Sequence, residues 1–393
     1  MVITPKTRGF YCTNAHPTGC AENVRRAVEY AAEHVCDEPK RVLIIGSSTG
    51  YGLGGRIAAA FGSGAATMGV FLEREATSTR TASAGWYNNH AFEQLAAEAG
   101  LICPSINADA FAQTTKEQVV SRIRSDFPGG QVDLVIYSVA APRRTDPVTG
   151  ETHLSLLKPI GKAFEGYTID FHTGQLVPAV IEPATPEETE GTVAVMGGAD
   201  WLLWMQALSQ AGVLAPGAVT LALSYIGPEM THPVYTNGTI GQAKKDLELK
   251  AKVIDRLLEE QGGKAFVVVN KALVTQASAA IPVVPLYVSV LYQVMKEKGT
   301  HEECTEQMVR LQQCLYANGA GNWEQVPVDE AGRVRMDDWE MDPEVQAEVT
   351  RRWALLNDSN LAELSDLEGY RKAFYQLFGF EVDGIDYQAD VAL

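Results

Sequence analysis

The sequence predicts an α/β protein built on a doubly wound parallel sheet, and three observations predict it. Strand-like apolar runs alternate with amphipathic helical stretches from about residue 40 onward, which argues a sheet flanked by helices on both faces. The runs themselves, RVLIIG (41–46), ATMGVFL (66–72), GLICPSIN (100–107), VDLVIYSVA (132–140), VTLALSYIG (219–227) and AFVVVNKAL (265–273), are apolar over most of their length, as buried parallel strands are. The first run breaks into glycines and then opens a helix, VLIIGSSTGYGLGGR, an arrangement that usually holds a nucleotide.

Each element follows in order. Residues 1–40 form a lead-in with one helix, AENVRRAVEYAAEHV. Between the strands lie helix candidates such as GRIAAAFG, HAFEQLAAEAG, KEQVVSRIRSDF and IGQAKKDLELKAKVIDRLLEEQGG. Residues 141–190 are rich in Pro, Thr and Gly and suit long loops beside a site. The tail, 301–393, is acidic and helical in pattern. No internal repeat interrupts this order, so the expectation is a single elaborated Rossmann-type domain over 1–393, with a nucleotide-binding and catalytic core at 41–300.

Composition sets the outer limits. The 393 residues, 46% hydrophobic, can bury a large core without metal or disulfides. Lys and Arg total 32 against 49 Asp and Glu, and the net charge of −17 would repel a phosphate backbone, which argues against nucleic acid as a partner. No run of eighteen apolar residues occurs and the N-terminus lacks the apolar core of a leader, so no membrane and a cytoplasmic location are expected. The six cysteines form no Cys-x-x-Cys pair and are expected as free thiols. His16 and Cys20 could share one helix face, but Pro17 and Gly19 argue against that helix and half of a zinc ligand set is missing, so no metal is expected.

The glycine turn has a simple physical logic. Gly46, Gly50 and Gly52 give G-x-x-x-G-x-G, with the helix expected near Leu53. A pyrophosphate must approach the backbone closely, and a helix N-terminus then offers amide donors and a positive dipole end. Ser47, Ser48 and Thr49 add hydroxyls. The spacing matches the short-chain dehydrogenase variant of the motif. Glu73, beside Leu72 at the end of the second strand, is expected to accept the adenosine ribose hydroxyls and to repel a 2′-phosphate, which favours NADH over NADPH despite Arg74 next door. Asp109 and Ala110 should meet the adenine edge, and Ser138 and Val139 should lie toward the nicotinamide.

A short-chain dehydrogenase should carry Tyr-x-x-x-Lys on a helix. The match Tyr292 to Lys296 falls after the sixth strand, behind IPVVPLYVSV, and reads as a buried substrate-wall helix. The stretch after the fifth strand, SYIGPEMTHPVYTNGTIGQAKKDLE, offers instead Tyr225, Tyr235 and Lys244. Its Tyr-x8-Lys spacing resembles the NADH-dependent trans-2-enoyl-CoA reductases and their enoyl-acyl-carrier-protein reductase relatives. The resemblance runs through RGFYCTNAHPTGC, IGSSTGYG, SAGWYNN, YSVAAPRRTDPVTGE, LKPIG, VMGGADW, TIGQAKKDL, VTQASAAIPVVPLY and MKEKGTHE, nearly the whole chain.

The resemblance implies an oxidoreductase of fatty acid metabolism that reduces the trans-2 double bond of an enoyl thioester with NADH. It implies Tyr235 as proton donor, Lys244 on the nicotinamide ribose, Tyr225 on the substrate, and Leu273, Val274 and Thr275 on the cofactor; Tyr51 also matches the family string. Tyr292 stands near the acyl pocket, where relatives can carry Phe. Physically, hydride on the β-carbon puts negative charge on the thioester oxygen, so a donor is needed there. A phenol with a reference pKa of about 10 can be that donor if a nearby cation helps it. Lys245 competes with Lys244, but helical neighbours point about 100° apart and only one should face the cofactor. IGPEMT, FHTGQL and VPVDEAGRVRMDDWE look like CoA-utilising members, so enoyl-CoA is expected over the carrier-protein substrate. The remaining alternative is a nucleotide-binding protein without catalysis, for which a tyrosine or the lysine should be missing. The protein is expected as a monomer or small homo-oligomer.

Overall fold

A computed structural model describes residues 2–8, 11–170, 173–279, 281 and 283–391, the Tyr11 side chain apart. Six of the strands lie where the apolar runs place them: β1 (Arg41–Ile45), β2 (Ala66–Phe71), β3 (Ser105–Asn107), β4 (Val132–Tyr137), β5 (Leu214–Ser224) and β6 (Lys264–Val269). A seventh, β7 (Val334–Arg335), comes from the tail. They form one parallel sheet in the order β7-β6-β5-β4-β1-β2-β3, with the chain reversing direction between β1 and β4. Ligands of such sheets bind beyond the carboxyl ends of the strands at this switch point.

Strand alternation divides the core in two. Val42 and Ile44 of β1 face α1 (Pro17–Glu33), α2 (Gly50–Ile57), α3 (Ala84–Glu98) and α9 (Cys304–Tyr316), meeting Val24, Leu53, Phe92 and Leu311. Leu43 and Ile45 face the other way, toward α4 (Gln113–Asp126), α6 (Ala199–Gln210) and α7 (Thr239–Glu259), with Ile123, Trp204 and Ile254. A third cluster gathers around α8 (Val284–Lys298), where Tyr287, Leu291 and Tyr292 meet Ala15 and Cys20 of the lead-in and Val349, Tyr370 and Phe374 of the tail. The tail contributes α10 (Pro343–Leu355) and α11 (Leu367–Gln376) to that layer.

Several elements depart from expectation, each for a local reason. Helix α1 begins at Pro17: proline sits where its missing N–H is not needed, and His16 Nδ1 accepts the Gly19 N–H at 3.3 Å. Helix α2 starts at Gly50, three residues before Leu53, because Gly50 at φ +54° turns the chain directly into it. The 100–107 run is a strand only over Ser105–Asn107. Residues 141–190 are not plain loops. They form two antiparallel hairpins, Arg143–Thr145 with Thr152–Leu154 and Phe164–Ile169 with Leu176–Ile181, and then α5 (Pro186–Met196), which Thr185 and Glu188 open with a reciprocal capping box. All six cysteines are free. Among the described residues no helix is long and apolar enough to cross a membrane. Parts of the family-like strings, Gly9, Phe10, Phe171, His172, Ala280 and Pro282, lie outside the described residues.

Candidate active site

The expected cofactor residues assemble at the carboxyl edge of the sheet. Gly46 and Ser47 leave β1 with both amides donating to Val70 O, at 2.8 and 3.1 Å, and Gly46 holds φ +91°. The turn is tight enough to exclude side chains. A Cβ on Gly46 would stand 2.2 Å from Ser138 O, and one on Gly52 would stand 1.9 Å from Gly46 O. Thr49 is the N-cap of α2 but makes no side-chain cap bond, which leaves the first amides of the helix for a ligand. Across the turn, a Cβ on Gly50 would meet Thr275 Cγ2 at 3.5 Å, so Gly50 and Thr275 face one another. This cradle fits a dinucleotide.

The other cofactor-side residues are fixed by their neighbours. Asn107 clamps the backbone of Glu73, accepting its N–H at 2.8 Å and donating to its carbonyl at 2.9 Å, and a Cβ on Gly85 would fall 2.1 Å from Glu73 Oε1. Leu72 beside it is exposed. Arg74 turns its guanidinium to Thr81 O at 3.4 Å. Asp109 accepts the Phe111 N–H, while Ala110 O receives Lys116 Nζ at 3.0 Å and Trp204 Nε1 at 3.1 Å. Ser138 N–H continues the ladder to Ile45 O, with Val139 following it into the loop. Tyr51 reaches from α2 to donate to Lys271 O at 2.7 Å. Ser278 pins Leu273 O and Thr275 N.

The two tyrosines and the lysine meet at the end of β5. Tyr225 is the first residue beyond the strand. Tyr235 sits in the turn before α7, fixed by its own N–H to Thr231 O at 3.0 Å and by Gly241 N–H to its carbonyl at 3.1 Å. Gly241 permits this turn, since a Cβ there would be 1.9 Å from Thr236 O. The rings of Tyr225 and Tyr235 meet edge to face at 4.9 Å. Lys244, in the second turn of α7, donates to Leu223 O at 3.1 Å, and desolvation lowers its pKa to about 8. Lys245 points to solvent.

The hydroxyls separate the tyrosines. Tyr225 donates to Glu340 Oε1 at 2.9 Å, and burial together with that carboxylate pushes its phenol up, so it stays protonated. Tyr235 is raised by burial alone, with neither a hydrogen bond nor a neighbouring charge acting on its phenol. Tyr292 is buried in α8 with its hydroxyl accepting the Val274 N–H at 3.0 Å. Lys296, the other half of the short Tyr-x-x-x-Lys match, is exposed and pairs with Asp366.

Residues 80–316 match the family described as the trans-2-enoyl-CoA reductase catalytic region, and residues 2–78 match the NAD(P)H binding domain of trans-2-enoyl-CoA reductase. The chain belongs to the trans-2-enoyl-CoA reductase family. It is an enoyl reductase, an oxidoreductase acting on CH–CH groups. Solved structures of relatives agree over the full length: the Clostridium acetobutulicum trans-2-enoyl-CoA reductase in complex with NADH, 43% identical with a TM-score of 0.95, and the Treponema denticola enzyme in complex with NAD, 46% identical with a TM-score of 0.94, each matched over 100% of this chain and 98% of the other. Curated relatives from Opitutus terrae and Coxiella burnetii are 54% identical over 100% of this chain and 98% and 96% of theirs, and bear the name enoyl-[acyl-carrier-protein] reductase [NADH].

Residues 328–391 match a third family description, the enoyl reductase FAD binding domain. The residues there do not fit a flavin dinucleotide. Tyr370, Phe374, Phe378 and Phe380 are buried in the layer over α8, and the exposed Trp339 is already covered on one face by the Arg310 guanidinium, 4.3 Å from its ring centroid. The N-terminus of α11 is already taken by Asp366, whose carboxylate accepts the Gly369 N–H at 2.9 Å and would repel a pyrophosphate.

What this segment supplies is Glu340, which pattern reading missed. Edge strand β7 runs parallel to β6, Met336 N–H continues the pairing to Val269 O, and the two chains then leave the sheet side by side. Glu340 thereby arrives against Ala272, Tyr225 and Tyr287. The acidic string MDDWE gave only a charge signal, because the contacts that define Glu340 lie up to 115 residues away.

Proposed function

We propose that this chain reduces the trans-2 double bond of a 2-enoyl-CoA thioester with NADH. The observation that carries the reading is the unengaged Tyr235 hydroxyl, held beside Tyr225 at the end of β5 and on the same sheet edge as the glycine cradle. When bound, NADH supplies hydride to the β-carbon. Tyr235 then donates a hydrogen bond to the thioester oxygen where negative charge develops, and it is the residue placed to give up the proton. Lys244 contributes a cation toward the ribose and the phenol. Tyr225, its own proton committed to Glu340, offers the substrate a ring wall and lone pairs. Tyr292 contributes its ring to the acyl side, because its hydroxyl is committed to Val274.

Glu73 supports NADH over NADPH, since its carboxylate lies against Gly85, which also borders Ser48 of the glycine turn, while Arg74 is turned to Thr81. The carrier-protein thioester is the second reading, favoured by the names of the 54% identical relatives. The chain is proposed to act in the cytoplasm as one elaborated domain, alone or as a small homo-oligomer. Loss of NADH absorbance on adding crotonyl-CoA tests the reading, and matched crotonyl-CoA and crotonyl-carrier substrates compared by kcat/KM test the choice of carrier. No oxidation with either substrate would overturn the function; a strong carrier preference would overturn the choice.

A further inference from the structure

Glu340 is fully buried, yet it is a carboxylate with three donors aimed at it. Oε1 accepts the hydroxyls of Tyr225 at 2.9 Å and Tyr287 at 2.6 Å, and Oε2 accepts the Ala272 N–H at 2.6 Å. Gln346 of α10 closes the group by donating to Tyr287 Oη at 3.2 Å and to the Glu340 carbonyl at 2.7 Å. An ionised carboxylate accepts and never donates, so each of these contacts has its sense fixed. Charge-assisted bonds of this kind are short and strong.

The donors come from different walls of the site. Tyr225 borders the proposed substrate side, and Ala272 begins the short segment that leads to Thr275, whose methyl faces Gly50 of the glycine cradle. Tyr287 anchors the same oxygen to α8. Gly227, at φ +73°, lies so close that a Cβ there would stand 2.5 Å from the Tyr225 hydroxyl, so the phenol is held from both sides. A residue needed only to fill this space would be apolar, since burying a carboxylate is costly and an apolar replacement of similar volume often does as well or better.

We propose that Glu340 is a positioning residue of the reductase: a single carboxylate that sets Tyr225 and the Ala272–Thr275 segment in one fixed relation, so that the substrate wall and the cofactor wall are aligned together. Its action on turnover runs through Tyr225, and its action on the cofactor runs through the Ala272 N–H. The tail segment thereby completes the active site without binding a cofactor of its own. The inference rests on the enoyl-reductase reading for its kinetic consequence only.

The test is a double-mutant cycle of Glu340→Gln and Tyr225→Phe on the full chain, read by kcat/KM for crotonyl-CoA, by NADH affinity from fluorescence, and by hydrogen exchange of the Ala272 amide in the cofactor-free protein. Glu340→Gln is expected to lower kcat/KM by about tenfold or more in the Tyr225 protein but by less than about threefold in the Tyr225→Phe background, because residues sharing one network act non-additively. It is also expected to weaken NADH binding and speed exchange at Ala272, whereas Tyr225→Phe leaves that exchange near its original rate. Asp338→Asn, a half-exposed neighbour paired with Arg310, serves as a control and should change none of these. Losses that multiply independently, or an Ala272 amide that exchanges as before, would overturn the proposal. If Glu340→Gln does not fold by circular dichroism, Tyr287→Phe replaces it in the cycle, with a smaller loss that must again fail to multiply with Tyr225→Phe. A wild-type chain that binds NADH but reduces no enoyl thioester would defeat the functional reading alone, and the exchange and binding measurements would still decide the role of Glu340.

Discussion

The two walls of the site are built by opposite means. On the cofactor wall the backbone is the working surface: Gly46, Gly50 and Gly52 keep side chains out, and the amides at the start of α2 are left open. The proposed substrate wall is made of side chains: Tyr225 is held through its hydroxyl on Glu340, which Tyr287 also engages, and Tyr235 meets Tyr225 edge to face. A backbone wall should therefore fail when an atom is added. A side-chain wall should fail when an atom is removed.

The largest expected effect removes one oxygen from the substrate wall. Tyr235→Phe deletes a hydrogen bond made chiefly in the transition state, so kcat should fall by about 10²-fold or more while NADH affinity barely moves. Single-turnover kinetics with a parallel NADH titration check both halves. Near-normal turnover in Tyr235→Phe with a dead Tyr292→Phe would move the chemistry to the other tyrosine. Next comes the addition of one carbon to the cofactor wall. Gly52→Ala would push a methyl to within 1.9 Å of Gly46 O, where only backbone movement makes room, and NADH binding should weaken by about tenfold or more with kcat at saturation less affected.

The same contrast explains what the sequence disclosed. The parallel sheet and its glycine turn follow from patterns a few residues long, period and chain breakers, and the folded chain departs from them only by small shifts such as the start of α2 at Gly50. The proposed roles of the tyrosines and Lys244 come from family resemblance, which the local Tyr-x8-Lys spacing makes visible, and the structure brings the two tyrosine rings together. Strand β7 is two residues long, too short for any period, and the hairpins at 143–181 hide behind a composition of turn formers. Glu340 has no local signature at all: its meaning lies in Tyr225, Ala272 and Tyr287, which the sheet order brings to it.

Lys244 donates to Leu223 O near the end of β5, and pH tests its proposed role. With its pKa lowered to about 8 by desolvation, the cation is lost as pH rises through that value, so kcat/KM should show a falling limb near pH 8 that Lys244→Met abolishes while lowering the plateau. Stability runs the other way. The unfolded lysine holds its proton to its ordinary value of 10.5, the native one releases it earlier, and folding stability therefore rises with pH between about 8 and 10.5. A falling rate with an unfallen thermal midpoint over that window distinguishes titration from unfolding. Lys245→Met, on the solvent side, should shift neither. At the far end of the cofactor wall, Glu73→Ala should narrow the ratio of NADH to NADPH affinity by removing both the ribose acceptor and the charge that opposes a 2′-phosphate; an unchanged ratio would take Glu73 out of the ribose site.

The smallest effect belongs to Tyr292, where the two walls touch. Its hydroxyl accepts the Val274 N–H at 3.0 Å inside the buried layer around α8, so Tyr292→Phe leaves one backbone donor without a partner. A buried donor left unmet costs about 1–3 kcal/mol. That cost falls on the Leu273–Thr275 segment, which Ser278 and the Ala272 contact to Glu340 continue to hold, and the expected result is a thermal midpoint lower by a few degrees with KM for NADH raised a few-fold and kcat near normal. Any change in acyl preference should stay within what packing provides, about 1–3 kcal/mol per methylene, because the ring is retained and only its oxygen is lost. Comparing kcat/KM for crotonyl and longer enoyl thioesters in both proteins separates the two contributions: a shift in NADH KM common to all substrates places Tyr292 on the cofactor wall, and a shift that grows with chain length places it on the substrate wall.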